Sequence, residues 1–506
     1  MKKTIGAVTA AITVMLVINS PELIAQDTFE EWKRNQQEQF ETFRNEQDAA
    51  FMKMLEASWE FVEDYDTQHL LEEVKPDQIP QRDRDETATE TDRQVEDRID
   101  EEQYVPVEID LSSIGKTMVT EDSPAKEDHK KDPVDVDSKG LVKMELLFYK
   151  TPVAIHMDSA FETFQRKENI DDDLISSYWE NAATSDYEPV LQSLKSQRSS
   201  LRLNDWSFAK LIFQTGMAVH QNDRQLADLF SWFMLTQSGY AVRVGYNEDR
   251  IHLLFAFENP VFSASFFTLN GTRFYAVAFD GVYPESGPMY TYQDDFPGAD
   301  RKISTEITDL PKLTSDMVER DLTFEYNDST YRISVEVNQN VIAFYEYYPQ
   351  TNLEVYFNAP TTLATSRQVL YQLGSIIDGK SETEAANMLL RFSQTAFGYK
   401  IDPQNFGREK PLFPEETLFY DYSDCEDRSI MYHFLVSNLL GLDVVGLRYP
   451  GHIATAVKFN SNVPGDFIRH NGATYTISDP TYIYADIGME MPDFEDITPE
   501  VISLQP

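Results

Sequence analysis

Three residues have the types and spacing for nucleophilic chemistry: Cys425, His452 and Asp479. Cys425 is the only cysteine among 506 residues, and it stands in "YSDCEDRSIMYHFLVSNLLG". Ser423-Asp424-Cys425-Glu426 fits the S-x-x-E capping box, with Ser423 as N-cap and Glu426 as the third helical residue. The thiol then falls in the first helical turn, where unpaired amides and the helix dipole favour a thiolate. Asp424, Glu426 and Asp427 oppose that charge, so a cationic or hydrogen-bonding partner is needed. "YPGHIATAVKF" supplies one, because Tyr449-Pro450-Gly451 makes a turn and His452 opens the strand that follows. The next strand, "TYTISDPTY", ends at Asp479. If the two strands are antiparallel neighbours, the start of one lies beside the end of the other, and Asp479 can orient the imidazole. Nucleophile, base and orienting acid together imply acyl transfer.

The elements that must hold these residues occur twice. A helix "DWSFAKLIFQTGMAV", a second "QLADLFSWFMLTQ" stopped at Gly239, and strands "YAVRVGY", "RIHLLFAF" and "RFYAVAF" precede the same order in "TEAANMLLRFSQTAFGY", the cysteine helix stopped at Gly441, "DVVGLRY", "HIATAVKF" and "TYTISD". Gly239-Tyr240 against Gly441-Leu442, Ile251 against Ile453, and Asn270-Gly271 against Asn471-Gly472 keep offsets of 202, 202 and 201. An internal duplication follows. Between the copies, Asp300 to Pro360 reads as mostly strand ("LTFEY", "TYRISVEV", "VIAFYEYY", "LEVYF"), a small antiparallel β module.

"DCEDRS", then "PGH" 27 residues after the cysteine and "DPTY" 27 after that, resembles the transglutaminase-like superfamily over roughly Thr361 to Pro492. The resemblance implies an α+β fold of transglutaminase-like or papain-like type, a cysteine helix packed on an antiparallel sheet, here duplicated. It puts the nucleophile on Cys425, the base on His452 and the orienting acid on Asp479. It also implies cysteine-dependent acyl transfer on peptide or protein amides through a thioester, with peptidase or amidase hydrolysis ahead of transamidation, and no metal or cofactor. The rival expectation is a non-catalytic envelope assembly or binding protein that uses these domains to recognise a partner. His433 and His470 read as packing or surface residues, and Arg428 as structural. In the first copy the aligned offsets give Asp223, Arg250 and Ala278, with His252 two residues away, so thiol chemistry is excluded there. The second copy carries an insertion, "KIDPQNFGREKPLFPEETLFYD", whose place beside the nucleophile suits a cleft wall or lid.

The rest of the chain bounds the setting. Met1-Lys2-Lys3, an apolar run from Ile5 to Ile18 and "NSPELIAQD" read as a signal peptide over 1–25, which implies export to the periplasm or outside a bacterial cell. Residues 26–74 carry an eleven-residue repeat with Phe29, Phe40, Phe51 and Val62 in one column and Trp32, Phe43, Met54 and Tyr65 in another, the pattern of one long helix with an apolar stripe. That stripe is a docking element for an envelope partner or for the chain itself. Residues 75–140 are charge-rich and poor in apolar side chains, as expected of a disordered linker. The expected domains are thus a degenerate copy at 141–300, the β module at 301–360 and the triad-bearing copy at 361–506. The 43 Lys and Arg against 86 Asp and Glu make a formal net charge of −43. Such a chain repels nucleic acid, and a solitary cysteine excludes an internal disulfide or a multi-cysteine zinc site. No run is long and apolar enough to predict a membrane span, so the expected partner is a peptide or protein substrate.

Overall fold

The computed structural model describes residues 45–70, 75–76, 80–82, 106–109, 141–164, 169–280 and 287–504. The expected signal peptide, the repeat as far as Arg44 and most of the expected linker lie outside them. The chain divides into two compact units, Met1–Met54 and Leu55–Pro506. In the first, residues 45–54 are helical.

In the second unit helix gives way to strand soon after Leu55, and this corrects the single helix expected to residue 74. Trp59 turns its indole N–H back onto the carbonyl of Leu55 at 2.6 Å. The chain then enters β1 (Trp59–Val62), antiparallel to β9 (Met289–Tyr292). The reason is aromatic packing across the strands. The Trp59 ring meets Tyr246 and Tyr292 edge-on at 5.1 and 5.5 Å, and Phe61 meets Tyr290 at 5.0 Å. Cross-strand aromatic pairs of this kind stabilise a sheet edge and outweigh the helical spacing.

β2 (Asp66–Thr67) pairs with β7 (Ser265–Leu269) at the opposite edge of the same sheet, and β3 (Val142–Phe148) with β4 (Thr151–Met157) forms a separate hairpin. Four helices follow: α1 (Asp172–Thr184), α2 (Glu188–Leu201), α3 (Asp205–Val219) and α4 (Arg224–Gln237). Next come β5 (Val242–Tyr246), β6 (Ile251–Ala256), β7 (Ser265–Leu269) and β8 (Thr272–Ala276). The sheet order is β1-β9-β5-β6-β8-β7-β2.

The second half begins with a long hairpin, β10 (Met317–Tyr326) and β11 (Ser329–Asn338). Two segments expected as strands are helices: α5 (Gln339–Tyr345) holds most of "VIAFYEYY", and α6 (Leu353–Phe357) is "LEVYF". Asn338 caps α5 by accepting the amide of Asn340 at 3.1 Å. Tyr345 and Tyr356 both stack on Phe413 of the insertion, at 4.3 and 4.5 Å, so tertiary packing overrides the β propensity of these aromatic runs. The hairpin is no separate module either. Leu322, Phe324, Ile333, Val335 and Val337 share one core with Val369, Leu389, Met431 and Tyr432.

Then follow α7 (Leu363–Ile377), α8 (Glu382–Thr395), β12 (Gly398–Tyr399), α9 (Asp402–Asn405), α10 (Pro414–Phe419), β13 (Tyr422–Ser423) and α11 (Cys425–Leu440). The last strands are β14 (Asp443–Tyr449), β15 (His452–Lys458), β16 (Phe467–His470), β17 (Ala473–Ser478) and β18 (Glu500–Ile502). Their order is β18-β14-β15-β17-β16, the same as β9-β5-β6-β8-β7 in the first half. The Asn-Gly turns between β7 and β8 and between β16 and β17 have the same positive φ angles, 49° then 78°, in both halves. A two-residue hairpin turn needs such left-handed residues to match strand twist, which explains the recurrence of Asn-Gly. The whole is α+β with two antiparallel sheets of matching strand order.

Candidate active site

α11 starts one residue later than its capping-box motif suggests. Ser423 is held in β13, paired with Tyr399 of β12, and its hydroxyl accepts from Arg428 Nε at 3.2 Å. Asp424 is therefore the N-cap and Cys425 the first helical residue. Asp427, rather than Glu426, reaches back to the amide of Asp424, at 3.0 Å. Its other oxygen accepts the amide of Leu412 in the insertion at 2.7 Å. Arg428 is structural as expected, donating also to the carbonyls of Gln394 and Phe397, each at 3.0 Å.

The expected pair of His452 and Asp479 is present. β15 and β17 are antiparallel, with Thr455 opposite Ser478. That register brings His452, at the head of β15, beside Asp479, just past the end of β17. His452 Nε2 lies 2.9 Å from Asp479 Oδ2, with both side chains buried. With Nε2–H donating, Nδ1 keeps the lone pair, and it has no hydrogen-bond partner among the described residues. Asp479 Oδ1 accepts the amides of Thr481 and Tyr482 at 2.8 and 3.2 Å. Phe494 stacks on the His452 ring at 5.1 Å and 9° between planes. Gln394 of α8 ties down the loop after Asp479, donating to the carbonyls of Asp479, Tyr482 and Ala485 at 3.2, 2.8 and 3.0 Å.

Cys425 is placed by its helix. One turn on, Ser429 Oγ donates to the carbonyl of Ile453 at 3.0 Å, so the start of α11 docks on the start of β15. The thiol hydrogen, however, is committed to Glu426 Oε2 at 3.1 Å. Burial pushes its pKa well up, and the negative charges of Glu426 and Asp424 add to that. In this state the sulfur is a protonated thiol, which departs from the thiolate that its place on the helix favours.

No family model, curated protein or solved structure matches this chain.

The site contains a residue that sequence reasoning placed in the linker. Lys75 is buried among carboxylates, 2.9 Å from Asp424 Oδ2, 2.6 Å from Glu409 Oε1 and 3.5 Å from Asp402 Oδ2, and it donates to Glu426 Oε1 as well. Burial works against its charge, but Asp424, Glu426 and Asp402 outweigh it and hold the lysine pKa well above its ordinary value. Burial, then Glu426, pushes Asp424 up to about 7, and burial first raises Asp402 and Asp427 too. Oxygens of Asp402, Glu409 and Glu426 lie within 4.8 Å of one another, a spacing that could hold a metal ion, and the Lys75 ammonium is paired with all three.

Asp402 and Glu409 come from the insertion, which is thus a wall of this pocket. No local signal marked Lys75; a lysine in a charged polar run looks like any other. Other linker residues are ordered with it. Pro76 O accepts from Tyr399 OH at 2.9 Å, and Gln81 forms a parallel bridge with Ile483. Val107 exchanges backbone bonds with Lys380 and Gly379 at 2.7 and 3.0 Å. These contacts correct the expectation of disorder at those positions.

The first half has no counterpart of the triad. Asp223 is the N-cap of α4, accepting the amides of Gln225 and Leu226 at 3.0 and 3.2 Å, so it corresponds to Asp424. Arg224 takes the place of Cys425 and pairs with Asp280 at 2.5 Å. Arg250 lies just before β6, and Ala278 is buried. His252 is buried, with Nδ1 unpartnered among the described residues, and burial lowers its pKa to about 4. His433 is a packing residue against Phe357 at 5.6 Å, while His470 is half-buried and bonds to Ser503 at 3.1 Å.

Proposed function

We propose that the chain is a cysteine-dependent acyltransferase of the transglutaminase-like kind, exported by its N-terminal signal, and that it hydrolyses peptide or protein amides. The observation that carries this reading is the buried His452–Asp479 pair on adjacent strands, with the helix bearing Cys425 docked on the same strand. In the reaction Cys425 Sγ turns from Glu426 and gives its proton to His452 Nδ1. The S–C bond forms at the substrate carbonyl, with the first-turn amides of α11 available to the developing oxyanion. The C–N bond then breaks and His452 protonates the departing amine, leaving a thioester. Water attacks the thioester, passes a proton to His452, and the proton returns to sulfur as the acid leaves. Asp479 holds the ring throughout.

A specific observation favours the second reading, a binding module without catalysis. The thiol is buried, protonated and bonded to Glu426. The test is intact-mass detection of an acyl adduct after exposure of the full chain to activated acyl esters and peptide anilides. The hydrolase reading expects an adduct on Cys425 with turnover, both lost in Cys425→Ala and with turnover lost in His452→Ala. No adduct and no turnover in either the native chain or Lys75→Ala selects the binding reading, and turnover that survives Cys425→Ala removes Cys425 from the chemistry.

A further inference from the structure

Four carboxylates around Cys425, those of Asp402, Asp424, Glu426 and Asp427, are almost wholly buried. Burying unpaired charge of this density costs several kcal/mol for each ion. The acids are held in place by the domain's own backbone: Asp402 Oδ2 accepts the amide of Lys410 at 2.7 Å, Asp424 Oδ2 that of Asp402 at 3.3 Å, and Asp427 Oδ1 that of Leu412. The positions of Asp402, Asp424 and Asp427 thus do not depend on Lys75. Asp424 Oδ1, fully buried, still has no hydrogen-bond partner among the described residues. A cation is called for, and the one that fills the place comes from far away in the chain.

The contacts of that occupant have the form of peptide capture. The Lys75 side chain enters the acidic pocket on either side of Cys425, at Asp424 and Glu426, and Pro76 O takes the hydroxyl of Tyr399. A few residues on, the amide of Arg82 donates to Ile483 O at 3.0 Å and the amide of Ile483 donates to Pro80 O at 3.3 Å. Ile483 is four residues past Asp479. The two anchor points therefore belong to the helix start that carries the nucleophile and to the loop that follows the orienting acid. One reads a lysine side chain; the other reads main chain by strand-like pairing, a mode that accepts a peptide in trans as readily as in cis.

We propose that Asp402, Glu409, Asp424 and Glu426 form a lysine-binding subsite beside Cys425, that the chain's own Lys75 and the backbone at Pro80–Arg82 occupy the cleft as an internal mimic of its ligand, and that the ligand in trans is an extended peptide with a lysine side chain. Calling the mimic a substrate mimic rests on the hydrolase reading; the binding itself does not. Because the mimic is tethered, its effective concentration is on the order of millimolar, and a free peptide competes poorly until the mimic is weakened.

The test measures the rate at which iodoacetamide alkylates Cys425, a probe that needs no catalysis. Full-length native chain is compared with Lys75→Ala, Lys75→Arg and Tyr399→Phe, the last removing the Pro76 anchor while keeping the ring under Arg428. Release of the mimic is expected to speed alkylation at least about tenfold in Lys75→Ala, less in Tyr399→Phe, and little in Lys75→Arg. Added to Lys75→Ala, a synthetic KPDQIPQR peptide is expected to restore protection, and APDQIPQR is not. Equal rates in native chain and in the variants that melt normally, Tyr399→Phe deciding if Lys75→Ala does not fold, overturn the proposal. So does equal protection by the two peptides. Lysine-dependent protection with no acyl adduct would keep the subsite and remove the hydrolase; adducts with no lysine dependence would do the reverse.

Discussion

Thr455 donates its hydroxyl to the carbonyl of Ser478 across the β15–β17 pair. That bond locks the register, and with it the meeting of His452, three residues before Thr455, with Asp479, one residue after Ser478. Asp479 has no other route to the imidazole, since its second oxygen is committed to the amides of Thr481 and Tyr482.

Asp479→Asn keeps the shape of this contact and removes the charge. By analogy with other triads, turnover in the acyl-transfer assay is expected to fall roughly a thousand- to ten-thousandfold while the fold remains. Steady-state rates and a thermal melt on the same sample check this; a loss of less than tenfold would remove Asp479 from the mechanism.

Gln394→Ala takes the donor from three carbonyls at once, those of Asp479, Tyr482 and Ala485. The amide carries two N–H groups and leaving a buried acceptor unpaired costs about 1–3 kcal/mol, so a loss of at least about 2 kcal/mol in urea unfolding is expected. Turnover should fall too, because the loop carrying Asp479 loses its tie to α8. Unchanged stability would show that water replaces the amide.

Asp424, at about 7 in the fold, titrates near 3.9 when unfolded. The folded state therefore holds the extra proton between those values, and this contribution to stability is present at low pH and lost as pH rises through about 7. Asp402 and Asp427, raised in the same direction, add to it. The Tm of Asp424→Asn minus that of the native chain should become more positive from pH 4 to pH 8. A difference that falls with pH would mean Lys75 overcompensates the acid.

Alkylation of Cys425 in the native chain should keep rising beyond the ordinary thiol pKa of about 8.5, because burial and the adjacent Glu426 and Asp424 hold the thiol protonated. Glu426→Gln removes one of those charges, and its profile should move to lower pH. A native rate that levels off below pH 8 would show the thiolate forming in the resting protein.

Much of the site could be read from residue order. Ser423 to Glu426 marked a helix start to within one residue, and Gly441, left-handed at φ 63°, marked its end. The runs "HIATAVKF" and "TYTISD" marked β15 and β17, and from those the His452–Asp479 contact follows, because antiparallel neighbours bring opposite ends together; β16 between them was not read. The one-residue error at the cap arose because Ser423 pairs with Tyr399 in a two-stranded parallel contact. "VIAFYEYY" and "WEFV" went wrong for one physical cause: aromatic runs fit either a strand or a helix, and the partner surface decides.

The amino-acid sequence by itself determined the repeated order of helices and strands, the candidate nucleophile, base and acid, and the excess of negative charge, since each is a local pattern. Only the tertiary structure decided what faces Cys425. Burial turned the acids around the thiol into a site that demands a cation, and the cation is Lys75, hundreds of residues away in the chain. No spacing rule connects such residues, because their attraction exists only once folding has excluded water from between them.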